Sequence, residues 1–119
     1  MMINKETERN IYTIYPLHQE KFFSEDEALE LVNIFLAITS KAKNQINSLN
    51  SQLELHKMSP SQTDAIQFRL NESIQKWSEK VRRLGGIPLA LYKVKIPAQE
   101  DAYYTWEFPN ASLEFHIHQ

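Results

Sequence analysis

The hydrophobic and polar positions divide the chain into two helical stretches followed by alternating, strand-like segments. From Ala28 onward, Ala28, Val32, Phe35, Thr39, Ala42, Ile46, Leu49 and Leu53 recur at spacings of four and three. This is an a/d heptad seam, and neither glycine nor proline interrupts it between Ser24 and Met58. Ser24-Glu25-Asp26-Glu27 precedes it in capping-box form, with the acidic residues where a helix dipole favours negative charge. The pattern predicts one helix from about Glu25 to about Lys57, roughly 50 Å long at 1.5 Å per residue. Ser59-Pro60-Ser61-Gln62 repeats the start signal. Ile66, Leu70, Ile74, Trp77, Val81 and Leu84 then mark a second helix, which Gly85-Gly86 ends. The connection between the two is short enough to predict an antiparallel helical hairpin.

The first half of helix 1 is apolar over much of its circumference, adding Leu29, Leu31, Ile34, Leu36 and Ile38 to the seam. The second half keeps only Ile46, Leu49 and Leu53 among asparagines, glutamines and serines. A wide apolar face needs more than one packing partner, whereas a narrow seam needs one. The base of the hairpin is therefore expected to carry further structure, and the tip to project as a two-helix coil. The C-terminal third supplies that structure as three strands: Ile87 to Ile96, Ala102 to Phe108 and Leu113 to His118. Leu113, Phe115 and Ile117 alternate with Glu114, His116 and His118, the period of a strand with one buried face. Pairing Phe108 with Leu113 sets Trp106 opposite Phe115, Tyr104 opposite Ile117, Tyr92 beside Trp106 and Val94 beside Tyr104. The expected fold is thus α+β, a long coiled-coil-like hairpin with a three-stranded antiparallel meander packed at its base. Residues 23–119 form the domain. Residues 1–22, with Ile11-Tyr12-Thr13-Ile14-Tyr15-Pro16, are read as an N-terminal arm or edge strand.

Composition narrows the function more than it names it. With 119 residues, 42% of them hydrophobic, the chain fits a single soluble domain. The absence of cysteine excludes disulfides, thiolate zinc sites and cysteine nucleophiles, and fits a reducing cytoplasm. Met1 to Asn10 has no apolar run resembling a signal peptide, and no stretch approaches a transmembrane helix. A net charge of −2 gives no general attraction to phosphate backbones. Lys76, Lys80, Arg82 and Arg83 form a basic cluster, but Glu72 and Glu79 are interleaved and no aromatic platform accompanies them. A solvated face that complements the helix dipole explains them better than nucleic-acid binding does.

Four short stretches resemble a family of small bacterial proteins named only as domain of unknown function two-two-zero-three. Phe23-Ser24-Glu25-Asp26-Glu27-Ala28 resembles its phenylalanine–threonine/serine–x–x–glutamate–alanine start to a helical hairpin. Lys95-Ile96-Pro97-Ala98 is similar to its aspartate-phenylalanine-proline-alanine segment, and Tyr104-Thr105-Trp106 to its leucine-cysteine-tryptophan strand. Phe115-His116-Ile117-His118 resembles its tyrosine-tryptophan-histidine strand. The aspartate, the cysteine and the family's glycine-arginine tail are missing here. The resemblance spans about residues 22–118 and implies a fold but no activity.

The candidate chemistry lies on the outward face of the sheet, with Lys93, Lys95, Tyr103, Thr105, Glu107, Glu114, His116 and His118. The expected register sets Glu107 directly opposite Glu114, an unfavourable like-charge pair. A divalent cation held by Glu107, Glu114, His116 and His118 would relieve it, and is the one candidate cofactor. Against this stands a solvated face on which Lys93 and Lys95 neutralise the glutamates, the commoner arrangement. Trp77, Trp106, Tyr92 and Tyr104 could line a small-molecule pocket, though aromatics at core periodicity are usually core. His18 and His56 have no evident partners. No catalytic set assembles: there is no phosphate loop, no Glu-x-x-His pair and no nucleophile–base motif. The leading expectation is therefore a non-enzymatic module that binds a protein partner or self-associates, as a homodimer, through the hairpin. The alternative is a metal- or small-ligand-binding protein using the outward sheet face.

Overall fold

The computed structural model describes residues 21–55 and 59–118. The expected arm, apart from Lys21 and Phe22, and both His18 and His56 lie outside the described residues. Two helices, α1 (Glu25–Leu55) and α2 (Pro60–Arg83), precede four strands: β1 (Ile87–Ala90), β2 (Lys93–Pro97), β3 (Ala102–Glu107) and β4 (Glu114–Ile117). Both predicted capping boxes form. Ser24 N–H donates to Glu27 Oε1 at 3.0 Å and Glu27 N–H to Ser24 Oγ at 3.2 Å. Ser59 and Gln62 repeat the exchange at 3.0 and 3.3 Å. At its other end α2 closes with both bonds of a Schellman motif, Gly86 N–H to Val81 O and Gly85 N–H to Arg82 O, each 3.0 Å. Gly85 takes the left-handed conformation this needs, at φ 99°.

The sheet has four strands in the order β1-β2-β3-β4, all neighbours antiparallel, not the three expected. The segment read as one strand, Ile87 to Ile96, folds back on itself at Leu91-Tyr92. It forms a tight hairpin in which Ile87 pairs with Lys95 and Ala90 with Lys93. Nothing in Ala90-Leu91-Tyr92-Lys93 has the glycine, asparagine or proline that normally announces such a turn. Tyr92 itself takes the positive φ, 70°. Its ring is held edge-on to Trp77 at 6.1 Å and tilted against Phe108 at 6.3 Å, under the ammonium of Lys43.

The registers differ from expectation as well. Val94 pairs with Trp106 and Ile96 with Tyr104, while Tyr104 pairs with Phe115 and Ala102 with Ile117. Each pairing is displaced by two residues from the predicted one. Because side chains alternate with period two, a two-residue displacement leaves every residue on its predicted face and changes only its neighbours.

The core follows the predicted division of α1. At the base Ala28, Val32 and Phe35 pack with Trp77 and Val81 of α2 and with Val94, Ile96, Tyr104 and Trp106 of the sheet. Leu31 is buried and Leu36 and Ile38 are half-buried against this cluster, whereas Leu29 and Ile34 stay exposed, so the apolar surface left over by the seam is absorbed only in part within the chain. Trp77 Nε1 donates to the buried Thr39 hydroxyl at 2.7 Å, and Trp106 Nε1 to the Asn110 carbonyl at 2.7 Å. Beyond Thr39 a second, smaller cluster holds the helices together through the buried Ile46, Leu49, Ile66 and Leu70, with Leu53, Ile74 and Tyr92 packed against it. The start of α1 is tied to the sheet by Phe23, buried, whose N–H donates to Pro97 O at 2.9 Å. Among the described residues, no helix is long and apolar enough to cross a membrane.

Candidate functional site

The outward face of the sheet contains the residues predicted for it, but in a different arrangement. Glu107 pairs with Lys93 across β2, and Glu114 pairs with Thr105, so the two carboxylates do not oppose each other. The repulsion that a cation was expected to relieve does not arise, and that expectation is corrected. His116 Nε2 lies 2.8 Å from Thr105 Oγ1 and 3.7 Å from Glu114 Oε1. Its ring stacks on Tyr103 at 4.8 Å and 16°, while His118 meets the same phenol ring at 4.6 Å. Lys95 Nζ sits 4.7 Å from that ring's centre. Tyr103 is therefore the hub of the face: two imidazoles and an ammonium are arranged on one aromatic, a cross-strand packing arrangement. Among the described residues, no three histidine, aspartate or glutamate side chains converge closely enough to hold a metal ion.

Neither of the other predicted constellations makes a site. Trp77, Trp106 and Tyr104 are buried and Tyr92 half-buried, with Phe35 5.7 Å from Trp106, so the helix–sheet interface is filled. An open cleft of about 630 Å³ lies elsewhere, at the end of the outward face, between Phe22, Ile87, Lys95, Pro97 and His118. The turn Gln99–Ala102 closes one side of it, with Glu100 and Asp101 both at positive φ. Lys76, Lys80, Arg82 and Arg83 are exposed on the last turns of α2, with Glu72 and Glu79 exposed among them.

The most distinctive surface was not singled out from the sequence. On the inner face of the sheet, which the helices cover, Phe115 and Ile117 of β4 remain 58% and 61% exposed. Phe115 touches only the rim of the core, 5.5 Å from the Tyr104 ring. α2 lies against β1, and α1 has its core contacts over β2 and β3. The helix layer thus stops short of β4, which is also the edge of the sheet. The last strand of the expected meander was already an edge, but the alternation of Phe115 and Ile117 was read as a face that the hairpin would bury.

β4, short and opening on Glu114, lacks the stronger features that protect an edge. β1, the opposite edge, has Pro88 and an irregularity between Pro88 and Ala90, both of which discourage pairing. β4, Glu114-Phe115-His116-Ile117, has no proline, no lysine and no bulge. Comparison of the chain with protein-family models, with curated proteins and with solved structures returned no match.

Proposed function

We propose that this protein is an interaction module that works by associating with protein, and that its binding surface is the β4 edge rather than the helical seam. The observation behind this reading is the pair of large exposed apolar side chains, Phe115 and Ile117, on the core-facing side of an edge strand. Apolar patches next to free backbone donors and acceptors are what strand-addition interfaces use. The helices support the surface by building an antiparallel hairpin behind it. It is held at its base by Ala28, Val32, Phe35, Trp77 and Val81 and farther out by the Ile46, Leu49, Ile66 and Leu70 cluster. Association through the hairpin itself has less in its favour, since Leu31, Leu36 and Ile38 find partners within the chain. Phe68 of α2 is the main large apolar side chain left exposed along that helix.

The test is photo-crosslinking of the full chain in its host cell, with a benzophenone amino acid placed at Ile117 or, as a control, at Phe68. Adducts of defined mass at Ile117, absent or diffuse at Phe68, are expected. Defined adducts only at Phe68 would move the interface to the helices. No adducts at either position would remove the reading.

A further inference from the structure

Resting on that reading, we infer that the partner on the β4 edge is a second copy of this chain, joined strand to strand about a two-fold axis through His116. The free edge presents a defined set of backbone groups. His118 N–H donates to Asp101 O at 2.8 Å, and Tyr103 and Thr105 pair with His116 and Glu114. By the alternation of an antiparallel ladder, the N–H and C=O groups of Phe115 and Ile117 then point away from β3 to the open edge. Four backbone groups with no partner among the described residues thus lie in a row beside two exposed apolar side chains.

Self-pairing is favoured by the order of residues in the strand. A two-fold axis reverses β4 against itself. Centred on His116, it sets Phe115 opposite the partner's Ile117 and Glu114 opposite the partner's His118. His116 faces the partner's His116. Every apolar side chain then meets an apolar one on the inner face, and each carboxylate meets an imidazole on the outer face. This is the self-complementarity that an isologous interface requires. Displacing the pairing by one residue would set Phe115 against a histidine and lose both matches. The pairing continues the sheet into eight strands and brings both helix layers to the same side. The patch is small, which places the dimer among weak, concentration-dependent associations.

The absence of native cysteine allows a clean test. In the proposed register His116 and the partner's His116 are a non-hydrogen-bonded pair, whose Cα separation of about 4.5 Å suits a disulfide. Full-length His116→Cys, mildly oxidised at high protein concentration, should form a covalent dimer. It should do so ~tenfold or more faster than Phe68→Cys, because pre-association replaces random collision. Phe115→Pro, which removes an outward N–H and leaves the β3 ladder intact, should return the otherwise native sequence to a monomeric sedimentation mass. Its circular dichroism should stay native, and Ile117→Lys serves the same purpose if the proline variant unfolds. Equal crosslinking rates at positions 116 and 68 would overturn self-pairing, and faster coupling through Phe115→Cys would overturn the axis through His116. A monomeric chain whose Ile117 photo-adducts contain another protein would overturn self-pairing but leave the interaction reading standing. A monomeric chain without adducts would overturn both.

Discussion

Gly85 shows how one residue joins three parts of the molecule. It closes α2 at φ 99°, and a Cβ built on it would lie 2.6 Å from the ring of Phe23, which ties the start of α1 to Pro97. Gly85→Ala should therefore combine left-handed strain with displacement of a buried ring. A loss of about 2–3 kcal/mol in urea unfolding is expected, above the 1–2 kcal/mol that the backbone alone accounts for. Glu27 gives a different kind of prediction. Its carboxyl is held below the usual carboxylate range, first by the Ser24 backbone N–H and also by the Ser24 hydroxyl and Lys21. A carboxyl depressed in the folded state contributes stability that is fully present above its unfolded pKa and is lost as pH falls through the folded one. Glu27→Gln should thus lower the melting temperature at neutral pH and make it less dependent on pH across the acid range. An acid limb that is unchanged in the variant would show that the cap is not the titrating group.

The β1–β2 turn sets two effects against each other. Tyr92 bears left-handed backbone strain of about 1–2 kcal/mol, which glycine would relieve. Its ring packs on Trp77 and Phe108, and truncating a buried aromatic costs ~3–5 kcal/mol, about half of that for a half-buried one. Packing should narrowly win, so Tyr92→Gly is expected to destabilise by roughly 0–1 kcal/mol. A gain of more than 1 kcal/mol in chemical denaturation would show that strain dominates. The same residue explains which parts of the fold were legible in the sequence. Both helices could be read nearly to the residue, because Ser24, Ser59 and Gly85 act locally. The faces of the strands were legible too, because period two survives a shift of two. The turn was not, since Tyr92 is held at positive φ by side chains distant in sequence. Register also depends on contacts between strands, and the supposed opposition of Glu107 and Glu114 disappeared with it. The exposure of Phe115 and Ile117 was not legible either, because it depends on how far the helix layer reaches across the sheet.

At the scale of the whole molecule the two apolar clusters are unequal. The base cluster draws on both helices and the sheet, whereas the distal one has four buried residues with only Leu53, Ile74 and Tyr92 partly buried against them. Regions with few buried apolar contacts open first, so amide exchange should be slowest around Phe35, Val81 and Trp106 and quicken steadily toward Leu53. Leu49→Ala should speed exchange on both helices beyond Thr39 while leaving the sheet amides as they were. Uniform acceleration across the chain would mean that the molecule unfolds as one unit. The division between the clusters also bears on how such a molecule can change over evolutionary time. Beyond the Thr39–Trp77 bond, the buried apolar residues that join α1 and α2 are spaced three and four apart. Seven residues make two helical turns. Seven removed from α1 past Thr39, with seven removed from α2 ahead of Trp77, would return every remaining apolar side chain to the same side of its helix. The projecting part can thus lengthen or shorten by whole repeats while the sheet and its open edge are inherited unchanged.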